Sequence, residues 1–72
     1  MYRLYKSQVL TDSYTYTLYV VEESRNEAVN KSIDYVNEKY KNEKMIGGGS
    51  IETDEIFAEK SIKLIDKRKT VL

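Results

Sequence analysis

The chain has no histidine and no cysteine. Missing histidine removes the usual general base near neutral pH. Missing cysteine removes the thiolate nucleophile, the soft metal ligand and any disulfide. No apolar run approaches the roughly twenty residues that a membrane helix needs. The start, Met1 to Lys6, lacks the apolar segment and small-residue cleavage site of a secretory signal, so a cytoplasmic location is expected. Charge of one sign is also missing: twelve basic residues balance twelve acidic ones. That disfavours a dedicated duplex binder, which usually carries a basic excess. It equally disfavours a whole-molecule mimic of DNA.

These absences turn attention to tyrosine. There are seven, and Tyr2, Tyr5, Tyr14, Tyr16 and Tyr19 fall within the first nineteen residues. A large ring with one polar tip suits strands and binding surfaces. The composition therefore points to binding rather than catalysis. Seventy-two residues make one small domain, which buries only about 60% of its unfolded surface. Without a disulfide or a metal, self-association is the remaining source of extra stability, and a homodimer is a possible state.

Residues 2–10 read as a first strand, and Thr11, Asp12 and Ser13 have turn chemistry. Residues 14–21 are aromatic or β-branched except Leu18. Tyr14, Tyr16, Leu18 and Val20 are expected to face the core, and Thr15, Thr17, Tyr19 and Val21 the other side. The two segments should pair as a hairpin. The period then changes. Ser24 and Glu27 form a capping box. Val29, Ile33, Val36 and Tyr40 make one stripe at helical spacing, with small Ala28 and Ser32 beside it. A helix is predicted over about 25–42, with Asn42 as its stop.

Gly47 to Ser50 allow three readings: a flexible loop, a bulged strand paired through Met45, Ile46 and Ile51, or an engineered linker. Residues 51–66 fit strands better than a second helix. Residues 67–72 read as a frayed basic tail. The expected fold is α+β, in the order ββαββ: an antiparallel sheet with one amphipathic helix on one face. One helix cannot cover both faces, so the other stays open, with Thr17, Tyr19 and Tyr5 on it.

No motif carries chemistry. Serine and threonine have no histidine to activate them, so no catalytic residues are assigned and an enzyme is not expected. Glu52, Asp54 and Glu55 cluster, but without the twelve-residue loop of an EF-hand. The glycine run is not followed by the Lys-Ser/Thr of a phosphate loop. No cofactor or metal is expected. Residues 45–59 carry Glu52, Asp54, Glu55 and Glu59 with no basic residue, and residues 60–72 carry Lys60, Lys63, Lys67, Arg68 and Lys69 against Asp66 alone. The two could neutralise each other or dock a partner. The candidate partner-binding residues are Tyr5, Thr17, Tyr19, Glu52, Asp54, Glu55, Lys67 and Arg68. Single-stranded nucleic-acid binding is the alternative, since tyrosines and a basic tail supply its ingredients. The recognition-motif signature for RNA is absent. A structural homo-oligomer or a small-ligand sponge are further alternatives.

In style, the chain resembles small accessory proteins carried by bacteriophages of low-GC Gram-positive bacteria. The likeness lies in a Tyr/Thr-rich hairpin, then Val20, Val21, Glu22, Glu23 and Ser24 leading into a capped helix. That helix ends in Tyr35, Val36, Asn37, Glu38, Lys39 and Tyr40. Richness in Asn, Lys, Glu, Ile and Tyr suits an AT-rich genome. The resemblance implies a role class. Such proteins, anti-CRISPR proteins among them, block a host factor stoichiometrically, so the implied partner is a bacterial host protein.

Overall fold

The computed structural model describes residues 1–70. Its elements are β1 (Tyr2–Thr11), β2 (Tyr14–Glu22), α1 (Arg25–Lys39), β3 (Met45–Phe57) and β4 (Ser61–Lys69). The four strands form one antiparallel sheet in the order β3-β1-β2-β4. This is the expected ββαββ domain.

The β1–β2 hairpin is the centre of the sheet. Thr11 organises its turn: its Oγ1 accepts from the Ser13 and Tyr14 N–H groups at 3.2 and 2.9 Å. Side chains alternate across a strand, so the pairings Tyr5↔Val20, Ser7↔Leu18 and Val9↔Tyr16 define one face. Tyr5, Val9, Tyr16, Leu18 and Val20 on it are all buried. Helix α1 lies over this face, against β1, β2 and β3.

The helix meets the sheet through small residues. Ser24 caps it by accepting the Glu27 N–H at 3.3 Å. Ala28, Ser32 and Val36 are its buried positions, and Ser32 Oγ donates back to the Ala28 carbonyl at 2.8 Å. Val29, Ile33 and Tyr40 of the expected stripe are half-buried flanks. Short side chains at the contact line let the backbone approach the sheet. The helix also stops at Lys39, three residues before Asn42, where the Tyr40 N–H closes on Val36 O at 2.8 Å.

Gly47 to Ser50 are strand residues within β3, paired to β1 through Gly47↔Leu10, Gly48↔Val9, Gly49↔Gln8 and Ser50↔Ser7. The irregularity falls beside them, at Ile46. The glycines extend because β1 supplies hydrogen-bonding partners that propensity alone does not reveal. Gly48 faces the helix side: a Cβ there would stand 3.0 Å from Gln8 O and 3.5 Å from Ile33. A second irregularity places Leu4 opposite Thr53–Glu55. Thr53 Oγ1 fills it by donating to Leu4 O at 2.9 Å.

Residues 67–69 are not frayed. They pair with β2 through Tyr16↔Lys67 and Tyr14↔Lys69, and Thr70 N–H donates to Ser13 O at 2.9 Å. The remainder of the expected tail, 71–72, lies outside the described residues. Strands β3 and β4 occupy opposite edges, yet only Ala58–Lys60 join them. That link must cross the end of β1 and β2.

Candidate functional site

The face away from the helix is organised in rows set by strand register. Gly47, Leu10, Thr15 and Arg68 make one row; Gly49, Gln8, Thr17 and Asp66 make the next. The third is Ile51, Lys6, Tyr19 and Lys63. An irregularity between Thr17 and Leu18 leaves Ile65 as an extra residue of β4 beside these rows. Ile51 is 70% exposed, and Tyr19 and Ile65 are each 40% exposed. The face carries Lys6, Lys63 and Arg68 against Asp66, and Arg68 Nε bonds Asp66 at 2.9 Å. Shallow grooves run over it, one of about 440 Å³ floored by Gln8, Thr15 and Thr17. The surface is a mildly basic platform with apolar knobs.

The helix side holds two polar clusters, one at each end. Near the hairpin turn, Tyr16 is fully buried and its hydroxyl donates to Glu43 Oε1 and Oε2 at 2.8 and 2.7 Å. Thr11 Oγ1 donates to Glu43 Oε1 at 2.6 Å. Burial first, then the hydrogen bond to the Glu43 carboxylate, push the Tyr16 hydroxyl well above the ordinary tyrosine value. Tyr40 stacks on Tyr16 with centroids 4.7 Å apart. The Lys67 ammonium sits 4.3 Å from the Tyr14 ring and 4.4 Å from the Tyr40 ring. Such cation–π contacts contribute roughly 0.5–2 kcal/mol each. They fix β4 to β2 and to the residue after the helix.

At the other end, Glu22 is 4% exposed. Burial alone would raise its carboxyl pKa. Hydrogen bonds from Lys31, the Glu23 N–H and Lys60 outweigh that and hold it at about 2. The ammoniums lie at 2.9 Å for Lys31 and 3.2 Å for Lys60. Lys60 also stands 5.5 Å over the Tyr2 ring, which anchors the β3–β4 link. Arg3 pairs with Glu52 at 3.0 Å, with both side chains about half exposed.

These positions sort the sequence candidates. Tyr19 and Arg68 share the uncovered face. Tyr5 does not: it is 3% exposed in the core under the helix. The inward positions of β1 after Tyr5 include polar Ser7 and Thr11, so the alternation that places Tyr5 inside is disguised. Thr17 lies on the uncovered face but is only 7% exposed, sunk in the groove beside Gln8 and Asp66. Glu52, Asp54 and Glu55 are exposed on β3, with Glu52 held by Arg3. Lys67 lies on the helix side among the rings. The eight candidates therefore form no single patch. Lys6, Lys63, Ile51 and Ile65 complete the Tyr19 face. Lys6 meets Tyr19 because β1 turns Tyr5, Ser7, Val9 and Thr11 inward, an alternation that the polar Ser7 and Thr11 hide in the sequence.

Among the described residues no group of three or more acidic side chains is placed to hold a metal ion, and no helix is long and apolar enough to cross a membrane. No family model, curated protein or solved structure matches the chain.

Proposed function

We propose that the chain is a non-enzymatic binding protein that modulates a bacterial host protein by stoichiometric contact, with the uncovered sheet face as its docking surface. One observation carries this reading: the row Ile51, Lys6, Tyr19 and Lys63, in which an exposed ring and an exposed aliphatic side chain alternate with two ammonium groups. Tyrosine offers rigid contact area at low entropic cost, and flanking lysines select an acidic rim on the partner. The phage-like style of the sequence supplies the biological setting, action in the cytoplasm of a bacterial host.

The same row favours one alternative. A ring between two lysines can also stack a base and hold its phosphates. The discriminating experiment immobilises the protein and passes bacterial lysate over it, with and without nuclease and at two salt concentrations. The variant Tyr19→Ala, with its fold checked by circular dichroism, runs in parallel. A protein retained after nuclease and lost with Tyr19→Ala supports the docking face. Retention abolished by nuclease, or falling steeply with salt, assigns nucleic acid instead. Unfolding of Tyr19→Ala would place that ring in the core and defeat the assignment.

A further inference from the structure

We propose that a second copy of this chain pairs along the free edge of β3, antiparallel and centred on Gly49, to make one continuous eight-stranded sheet. The two sheet edges are treated differently. Edge strands are commonly protected by lysines and bulges. Strand β4 has the lysines, with Lys63, Lys67, Arg68 and Lys69, and one irregularity at Ile65; the two irregularities of β3, at Ile46 and at Thr53–Glu55, leave the stretch Gly47 to Glu52 between them in regular pairing. Strand β3 has no charged residue from Met45 to Ile51. Among the described residues it carries four of the seven exposed large hydrophobic side chains: Ile46, Ile51, Ile56 and Phe57.

The glycines point the same way. Gly48 has a reason within the chain, because a Cβ would crowd Gln8 O. Gly47 and Gly49 have none. Neither has a positive φ, and a Cβ on either would meet nothing within 4 Å. Glycine weakens a strand and often marks close approach by another group. Both positions lie on the uncovered face, as does Ile51, opposite Leu10, Gln8 and Lys6.

Antiparallel pairing about a twofold axis at Gly49 sets Gly49 against Gly49 of the second copy. It sets Ile51 against the bare Gly47 of the second copy, twice by symmetry. Each exposed isoleucine then fills the space that a glycine leaves. The same register draws the acidic stretch Glu52 to Glu55 of each copy towards Lys44 of the other, rather than alongside its own image. Such an interface is self-complementary, as a twofold contact must be.

The experiment is sedimentation equilibrium of the full chain up to about 100 μM, a range that captures micromolar association. The expected mass is twice that of the 8.5 kDa chain. Ile51→Lys, at a 70% exposed site, should keep the fold by circular dichroism and raise the dimer dissociation constant at least about tenfold. Because the chain has no cysteine, single-cysteine variants report register cleanly. Gly49→Cys should form a disulfide-linked dimer under mild oxidation, since opposed residues fall within the roughly 4.4–6.8 Å that a disulfide spans. Gly47→Cys should not, because its counterpart lies four residues along, about 13 Å away. A single-chain mass throughout overturns the proposal. A dimer indifferent to Ile51→Lys, or one cross-linked at residue 47 and not at 49, overturns it equally.

Discussion

Replacing Glu22 by glutamine should remove a pH-dependent part of the stability while keeping side-chain shape. The carboxyl is held at about 2 in the folded chain, against an ordinary value of 4.5. A depressed folded value stabilises above the unfolded one, so the contribution is complete above pH 4.5. It is lost as pH falls through about 2. The gap corresponds to at most about 3 kcal/mol. The side chains of Lys31 and Lys60 are 36% and 43% exposed, so solvent screens part of that, and about 1–2 kcal/mol is the expected difference. The assay is urea unfolding of both proteins from pH 7 to pH 2. Near neutrality the native chain should be the more stable, and the two curves should converge towards pH 2. The difference isolates Glu22, because every other carboxylate titrates in both proteins. Curves that stay parallel over the whole range would refute the account of Lys31 and Lys60 as its partners.

Three further substitutions probe the sheet. Tyr16→Phe deletes the hydroxyl shared with Glu43 and should cost about 1–3 kcal/mol at neutral pH. Because burial and Glu43 raise the Tyr16 value in the folded chain, its contribution is complete below pH 10 and declines above it. The alkaline limb of the stability curve should therefore be shallower in the variant. Gly48→Ala brings a Cβ against Gln8 O and should cost about 1–3 kcal/mol. Gly47→Ala, which meets nothing, should gain about 0.5–1 kcal/mol. Denaturant titration at low protein concentration measures both, and equal effects would contradict the β1–β3 register.

Much of this architecture is legible in the residues. Strand β2 is aromatic or β-branched from Tyr14 to Val21 except at Leu18, and its even positions face the helix as alternation predicts. The helix start is written in Ser24 and Glu27. Strand β1 is harder to read because Ser7 and Thr11 hold inward positions usually given to apolar residues, and this misdirects Tyr5. Strand β3 is masked by three glycines, whose extended state depends on β1, far away in sequence. Glu43 reads as one more acidic residue in a Lys/Asn/Glu turn; its bonds to Tyr16 and Thr11 exist only after the helix returns. Lys67 reads as part of a basic tail until β4 pairs with β2 and places it between two rings. The uncovered face was foreseeable from helix count. Its membership was not, because register decides which lysines flank Tyr19.

The placement of the hairpin has a kinetic side. The two central strands are joined by only Asp12 and Ser13, so the most buried pairing is also the closest in sequence. Closing so short a loop costs little chain entropy, whereas each edge strand must be brought from farther along the chain. Contacts between neighbours in sequence form faster than distant ones. The sheet is thus built to grow from its middle outwards: hairpin first, helix across it, then one strand on each flank. Opening should run in reverse, from the two edge strands inwards to the hairpin.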